Sequence, residues 1–280
     1  PATLGSRMRG FILTTLVRSL AGLLLGAAPA RRPVRHEHLR LAEEAHAKLV
    51  LVRHGQSEWN LANRFTGWVD VDLTERGITE AREAGRLLAQ EGLKIDECFS
   101  STLRRSIRTA CLSLSGLDQV WVPLRKDARL NEQHCGSLTG HNKRELAQLY
   151  GAEQVQAWRR KYDQPPPPIE VDSPLQQMLL QDERYKVHGV EVPAAECLRD
   201  TCERVRGVWD DELKPLLRQG KTVMVVSHGN TLRALVKMLD GVAEGGTFHL
   251  DLPTAAPVVY ELDAHARPLT PVGFWGTSAV

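Results

Sequence analysis

The 280-residue chain is poor in cysteine and lacks the spacings that would give its cysteines a structural role. Their number is odd and no two of them form a C-x-x-C pair; they are Cys98, Cys111, Cys135, Cys197 and Cys202. Neither a disulfide framework nor a zinc site is therefore indicated, and a reducing compartment is the default. His36-Glu37-His38 has no third candidate ligand nearby, so we expect no metal there either.

Signatures of nucleotide and nucleic-acid binding are also missing. The sequence has no G-x-x-x-x-G-K-[ST] loop, no basic run with interleaved aromatic residues and no internal repeat, and its formal net charge is +2. We therefore expect no nucleic-acid partner and no P-loop. A composition with 42% hydrophobic and 25% charged residues is ordinary for a globular enzyme. The length suits one α/β catalytic domain, which we place at residues 46–280.

Acidic residues are absent from the first 36 positions, which contain six arginines and an apolar stretch at 11–28 that Arg18 interrupts. This pattern is typical of an organelle transit peptide, plastid or mitochondrial, and we interpret residues 1–45 as a targeting leader. A secretory signal, an anchor and an artefact of the gene model are the alternatives, and without a real leader we expect a cytoplasmic enzyme. Because Arg18 interrupts the run, we expect no transmembrane helix there. We also expect no stable membrane insertion of the catalytic domain.

Two apolar runs of the sequence end in the same way. The run 48–52 leads into Arg53-His54-Gly55, and the run 223–226 leads into Ser227-His228-Gly229. Such runs predict buried parallel strands of an α/β sheet, and ligands of such sheets bind beyond the carboxyl ends of the strands. We therefore expect both histidines to face one site.

The neighbours of His54 favour a phosphoryl group as its ligand. Arg53 supplies a permanent cation, and Gln56, Ser57 and Asn60 supply neutral hydrogen-bonding groups. A glycine after each histidine lets the backbone approach an anion closely, and the helices that follow would direct backbone N–H groups at it.

Six motifs in these regions carry a resemblance to a known family. They are RHGQSEWN at 53–60, FTGW at 65–68, DLTERG at 72–77, RLNEQHCGSLTGHNK at 129–143, WRRKYDQPPPP at 158–168 and SHGNTLRALVK at 227–237. Together they resemble the cofactor-dependent phosphoglycerate mutases of the histidine phosphatase superfamily, from about Lys48 to Trp275.

The resemblance implies a role for each matching residue. His54 matches the nucleophile that becomes phosphohistidine, and Arg53 and Arg105 match the arginines that hold the phosphoryl group, with Arg104 as a structural neighbour. His228 matches the second histidine, which stabilises the phosphoryl group in transfer, and Glu132 matches the group that shuttles the proton. Imidazole and guanidinium suit these roles because one is nucleophilic near pH 7 and the other binds phosphate oxygens bidentately.

The family also implies a substrate pocket and an activity. Lys143, Arg159 and Arg160 match the cations for the carboxylate and distal phosphate. The other matching positions are neutral, namely Ser57, Asn60, Thr66, Gly67, Cys135, Gly229 and Asn230. The implied reaction interconverts 3-phosphoglycerate and 2-phosphoglycerate in glycolysis and gluconeogenesis, primed by 2,3-bisphosphoglycerate and without a metal. The implied partners are small phosphorylated acids, and a homodimer or homotetramer is left open.

Three departures from the family pattern leave open whether the enzyme acts as a mutase or hydrolyses its substrate. Gln133 and Cys135 stand where the family usually has arginine and tyrosine, the segment 253–257 has Ala255 in place of a glycine, and the chain stops soon after Trp275. A bisphosphoglycerate mutase or phosphatase of the same superfamily is therefore one alternative. A non-catalytic homologue that binds phosphorylated ligands is another, but a binding module has no need of His54 together with Glu132.

The order of elements predicts an α/β fold, a three-layer α/β/α sandwich, and the family implies a mostly parallel sheet of about six strands. The predicted strands are 48–52, 97–100, 117–122, 222–226 and 258–262. The predicted helices are 79–90, 105–113, 142–150, 153–161, 196–218 and 231–239. The proline-rich segment 163–192 is expected to cover the site.

Overall fold

The computed structural model describes residues 45–242 and 250–270. The interpreted leader and the segment around Trp275 lie outside the described residues. No helix in the described part of the chain combines the length and apolar character needed to cross a membrane.

A five-stranded sheet in the order β3-β2-β4-β1-β5 forms the centre of the described domain. Its strands are β1 (Ala47–Arg53), β2 (Glu97–Ser100), β3 (Leu124–Lys126), β4 (Thr222–Ser227) and β5 (Pro257–Leu262). The first four run parallel, and β5 is antiparallel to β1. The mostly parallel α/β fold is confirmed, with five strands among the described residues where about six were expected.

Ten α-helices surround this sheet in the described ranges. They are α1 (Glu58–Leu61), α2 (Glu75–Gln90), α3 (Arg104–Gly116), α4 (Lys143–Tyr150), α5 (Ala152–Arg160), α6 (Pro174–Leu180), α7 (Glu183–Lys186), α8 (Leu198–Val208), α9 (Lys214–Arg218) and α10 (Gly229–Leu239).

The strands alternate their side chains between two hydrophobic layers, because successive residues of a strand point to opposite faces of the sheet. Val50 and Val52 of β1 pack with Ala84 of α2 and Ala110 of α3 on one face. On the opposite face, Leu49 and Leu51 pack with the segment 205–217 and with α10. Helices thus cover both faces, which gives three layers and fixes the strand ends that carry the site.

The prediction of a strand at 117–122 is wrong. Asp118 has a positive φ of 59°, and Val120 and Trp121 are exposed by 68% and 74%. The apolar residues that suggested a strand are anchors at the two ends of a turn: Leu117 and Val122 are buried against the core. The edge strand is β3, which begins at Leu124.

The predicted long helix at 196–218 is a continuous helical stretch, but it changes its hydrogen-bonding pattern in the middle. A π-helical segment, Trp209–Leu213, connects α8 to α9. Pro215 follows in the first turn of α9. Since proline has no backbone N–H, it cannot continue the regular α-helical hydrogen bonding, and a widened turn accommodates it.

The segment 163–192, which was expected to cover the site, is partly helical. Its second half forms α6 and α7, whose Leu179 and Tyr185 pack against Trp68 and Ala128. Near its start, Pro167 O accepts a hydrogen bond of 2.9 Å from Ser137 N. The segment is therefore anchored to the domain at both of these places.

Candidate active site

The two histidines of the sequence pattern lie side by side at the carboxyl ends of adjacent strands. β1 and β4 are paired in register, with Arg53 opposite Ser227, and His54 N donates to Ser227 O at 2.9 Å. The imidazole centroids of His54 and His228 are 5.0 Å apart. Both side chains are buried, so the sheet register brings together the two histidines that the sequence predicted to share a site.

The His54 ring is held in one tautomer. Its Nδ1 lies 2.7 Å from Gly55 O, and because a carbonyl only accepts, Nδ1 carries the proton and Nε2 keeps its lone pair. Burial and the charges of Arg105 and Arg53 hold the pKa of His54 well below its usual value. The ring is therefore neutral near pH 7, as a nucleophile must be.

Gly55 is required by close packing rather than by its dihedral angles. A Cβ at this position would lie 2.3 Å from Gly77 O. The backbone after His54 therefore packs directly against the start of α2. This packing fixes the Gly55 carbonyl group, which holds the imidazole ring.

Arg53 and Arg105 lie close enough to His54 for their charges to lower its pKa. Arg105 uses its terminal nitrogens to donate to Val69 O at 2.8 Å and Gly67 O at 2.9 Å, and Arg53 Nη1 donates to Leu252 O at 2.8 Å. The Nε atoms of both arginines are buried without a hydrogen-bond partner among the described residues. The expectation of a free guanidinium fork is therefore modified, because backbone carbonyls already bind both terminal nitrogens of Arg105 and Nη1 of Arg53.

His228 contributes another unpartnered nitrogen. Its Nε2 lies 2.7 Å from Ser101 Oγ, whereas its buried Nδ1 has no partner in the described part of the chain. Burial and the charge of Arg105 hold the pKa of His228 well below its usual value. Buried donors without acceptors are costly, and an anion with several oxygens would satisfy them.

Glu132 lies near Arg53, and two backbone N–H groups hold its carboxylate. Its Oε1 accepts hydrogen bonds from Gln133 N at 2.9 Å and from Asn230 N at 3.1 Å. A Cβ added at Gly229 would lie 3.6 Å from Arg53 Nε and 3.8 Å from Glu132 Oε2. Gly229 thus lies beside both the guanidinium and the carboxylate, and a Cβ there would make only ordinary contacts with them.

A cavity of about 100 Å³ opens beside Arg53 and Glu132. The predicted residues among its lining are Arg53, Thr66, Gly67, Glu132, Cys135, Lys143, Arg159, Arg160, Gly229 and Asn230. This volume is well below the roughly 300–1,000 Å³ typical of pockets for drug-sized ligands. The cavity therefore suits a small ligand.

Ser57 and Asn60 do not belong to this lining. Ser57 is the N-cap of α1, and the two residues form a capping box in which Asn60 N donates to Ser57 Oγ and Ser57 N donates to Asn60 Oδ1. Both side chains thus stabilise the first turn after the His54 loop.

Besides Arg53, three cations line the cavity, namely Lys143, Arg159 and Arg160. Burial and the nearby Arg159 lower the pKa of Lys143 to about 8, and burial and Arg160 lower the pKa of Arg159. Arg160 donates to the carboxylate of Asp251 at 3.0 Å. The crowding of cations that lowers these pKa values would be relieved by an anionic ligand.

The two departures beside Glu132 are accommodated differently. Gln133 is buried and its Nε2 donates to Glu196 O at 2.6 Å, so an amide bridge occupies the position of the expected arginine. Cys135 is half-buried, and its Sγ lies 3.6 Å from where a Cβ on Gly67 would be. Burial and the Glu132 carboxylate raise the pKa of Cys135 to about 12, which keeps the thiol neutral.

Arg104 has the structural role that the sequence predicted for it. Its exposed side chain lies within ion-pair distance of Asp70 at 3.8 Å and Asp72 at 3.9 Å. It therefore helps to fasten the 66–72 loop to α3.

A larger cavity, of about 770 Å³, is lined by Trp68, Arg129, Arg184 and Arg204 among others, but not by Arg53 or Glu132. His54 and His228 are buried and line neither of these two cavities. The arginines of the larger cavity already pair with Asp127, Asp182 and Glu196. Within the described residues, no three His, Cys, Asp or Glu side chains are grouped closely enough to hold a metal ion. The small cavity is therefore the candidate active site.

Comparison with known proteins identifies the family of the chain. The sequence model of the histidine phosphatase superfamily (branch 1) matches residues 49–177 and 174–271.

Solved structures with the same fold come from several enzymes. YhfR of Bacillus stearothermophilus is 22% identical, with a TM-score of 0.57 over 79% of this chain and 93% of that one. A mycobacterial glucosyl-3-phosphoglycerate phosphatase complexed with VO3 is 24% identical, with a TM-score of 0.56 over 76% and 92%. A phosphoglycerate mutase of Bacillus anthracis is 21% identical, with a TM-score of 0.56 over 84% and 98%. At these identities the likeness establishes the fold.

Proposed function

The chain belongs to branch 1 of the histidine phosphatase superfamily, and on this basis we propose that it is a phosphoglycerate mutase acting through phosphohistidine at His54. The observation that carries the proposal is a small cavity lined by cations, next to a buried group of side chains with unpartnered nitrogens. Arg53 belongs to both: it lines the cavity, and its charge, with that of Arg105, acts on His54. Lys143 and Arg159 also line the cavity, so a three-carbon acid with a phosphate and a carboxylate fits the charge pattern.

The chemistry follows from the orientation of these groups. His54 Nε2 attacks the phosphorus, the bond between phosphorus and the substrate oxygen breaks, and Glu132 gives a proton to the leaving oxygen. In the return step Glu132 takes a proton from the accepting hydroxyl while the phosphoryl group leaves His54. Arg53, Arg105 and His228 stabilise the charge on the equatorial oxygens in both directions. The arginines thus carry the charge that a metal carries in other phosphoryl-transfer enzymes.

The residues also fit the proposed cofactor, 2,3-bisphosphoglycerate. Arg53, Arg105 and His228 would hold one phosphate, and Lys143, Arg159 and Arg160 would hold the other. When bound, this cofactor supplies the phosphoryl group that primes His54. Small phosphorylated acids are accordingly the proposed partners, and an organelle is the proposed location if the leader is real.

A second candidate, hydrolysis of a phosphomonoester, is favoured by Cys135. A mutase must keep water from phospho-His54, and cysteine is smaller than tyrosine and a weak hydrogen-bond partner. The cavity beside Cys135 therefore has space that a phenol would fill. In this case water, rather than a second hydroxyl, accepts the phosphoryl group.

One assay separates these candidates from each other and from a binding homologue. The full chain is incubated with 3-phosphoglycerate, with and without 2,3-bisphosphoglycerate, while 2-phosphoglycerate and free phosphate are measured together. A mutase forms 2-phosphoglycerate faster than phosphate, and the cofactor accelerates it. A phosphatase gives the reverse ratio. Binding of substrate with neither product would overturn both candidates.

A further inference from the structure

The third strand end at this edge of the sheet places a serine against His228. β2 lies beside β4, with Ser100 opposite Val226, so Ser101 follows β2 next to the point where His228 follows β4. Ser101 is fully buried, and its Oγ lies 2.7 Å from His228 Nε2. Ser101 lies in none of the six sequence motifs.

The hydrogen bonds around Ser101 determine the direction of this contact. Leu103 N donates to Ser101 Oγ at 3.2 Å, which uses one lone pair of the hydroxyl. If His228 Nε2 also donated to it, the hydroxyl proton would need another acceptor, and the described residues provide none. If Ser101 donates to Nε2, every group in the contact is satisfied.

We propose that Ser101 is a positioning residue that fixes His228 in the Nδ1–H tautomer, so that His228 donates a hydrogen bond to the transferring phosphoryl group. The inference rests on the proposed function of His228, but the tautomer itself does not depend on it. A neutral imidazole carries one proton, so an acceptor role for Nε2 places the proton on Nδ1. Nδ1 is the buried nitrogen that has no partner among the described residues.

Both histidines then carry their proton on Nδ1, but His54 presents a lone pair to the substrate whereas His228 presents an N–H group. His54 donates from Nδ1 to Gly55 O and presents the lone pair of Nε2. His228 accepts at Nε2 from Ser101 and presents the proton of Nδ1. One ring therefore supplies the nucleophile, and the other supplies a hydrogen-bond donor that adds no charge to a site already containing Arg53 and Arg105.

The tautomer can be read directly by NMR. The full chain is labelled with ¹⁵N-histidine, and long-range ¹H–¹⁵N spectra are recorded at neutral pH, with the signals of His228 assigned by their absence in His228→Asn. We expect Nδ1 at the shift of a protonated ring nitrogen and Nε2 at that of an unprotonated one. The opposite pattern in the wild type would overturn the proposal, whether or not any variant folds.

Variants then test whether Ser101 is the cause. Ser101→Ala should give a mixture of tautomers at His228 and slow phosphorylation of the protein by about tenfold, with little change in KM. Ser100→Ala is the matched control, because Ser100 is an equally buried neighbour whose hydroxyl contacts Ser106 instead of a histidine. It should leave the tautomer unchanged.

The two proposals can fail separately. A pure Nδ1–H tautomer that persists in Ser101→Ala would remove Ser101 from the account and leave the proposed function intact. The expected tautomer change without any phosphoryl transfer by the wild type would leave the positioning role and overturn the function.

Discussion

The imidazole rings of His54 and His228 lie 5.0 Å apart at an interplanar angle of 59°. This is the separation of rings in contact, so a phosphoryl group that meets both histidines would lie beside the pair rather than between the rings. Buried Nε atoms of Arg53 and Arg105 also have no hydrogen-bond partner among the described residues. The parallel pairing of β1 and β4 produces the arrangement, since a strand that slipped by one residue would carry its histidine to the wrong face. The chemistry of the site thus depends directly on sheet register.

Glu132→Gln should lower kcat by about 10²–10⁴-fold with little change in KM, because glutamine keeps the shape and hydrogen bonding of the side chain but cannot shuttle a proton. Mutase kinetics at saturating cofactor provide the measurement. Glu145→Gln, at an exposed position of α4, is the control and should behave like the wild type. An unchanged kcat in Glu132→Gln would remove this residue from the mechanism.

Cys135→Tyr should lower the ratio of phosphate release to 2-phosphoglycerate formation, since a phenol would fill space beside Glu132 and help to exclude water from phospho-His54. Both products are measured in the same reaction. Cys111→Tyr, at an exposed position, should leave the ratio unchanged.

If Cys135→Tyr fails to lower this ratio, overpacking by the larger side chain would explain the result, and this explanation can be checked. Overpacking against Gly67 would cost about 1–3 kcal/mol and would lower the melting temperature together with activity. A wild-type ratio no higher than that of a relative carrying tyrosine would contradict the proposed effect of Cys135.

The value of kcat/KM for 3-phosphoglycerate should fall as the pH rises through the pKa of Lys143, which is about 8. A lysine is cationic below its pKa and neutral above it, so the contact with the anionic substrate is present at low pH and lost at high pH. Loss of a charged hydrogen bond costs about 1.5–3 kcal/mol, or roughly 10–100-fold in binding. Lys143→Arg should flatten the profile because guanidinium stays protonated. An identical fall in that variant would assign the pH dependence to another group.

Ala255→Gly should be less destabilising than Ala256→Gly, although it removes a methyl group that is buried in the core. Ala255 has a positive φ of 51°, a conformation that costs alanine about 1–2 kcal/mol and glycine nothing comparable, although glycine loses more entropy on folding. Denaturant unfolding measures the difference. Ala256→Gly is the control, and since Ala256 has no positive φ it should be the more destabilising change. Equal effects of the two changes would refute the strain at Ala255.

The sequence predicts the parts of the site that follow from local pattern. The runs 48–52 and 223–226 are apolar enough to specify buried strands, and the residue that follows each strand must then lie at the edge of the sheet. Lys143, Arg159 and Arg160 were expected through the family motifs, and the structure brings them to one cavity.

Other features depend on contacts that the sequence does not display. Arg105 binds the carbonyls of Gly67 and Val69, which are distant in sequence, and Ser101 meets His228 across 127 residues. Ser57 and Asn60 form a capping box, although the neighbouring His54 suggested a ligand for them. At 117–122, apolar residues that anchor a turn have the same composition as a short strand.

Phosphorylation of the protein at His54 tests the central claim most directly. The full chain is incubated with labelled 2,3-bisphosphoglycerate, quenched and divided between acid and base. The account predicts a label that is lost in acid and kept in base, as a phosphorus–nitrogen bond requires, and that is absent from His54→Ala. Label at the wild-type level in His54→Ala would place the nucleophile elsewhere and contradict the account.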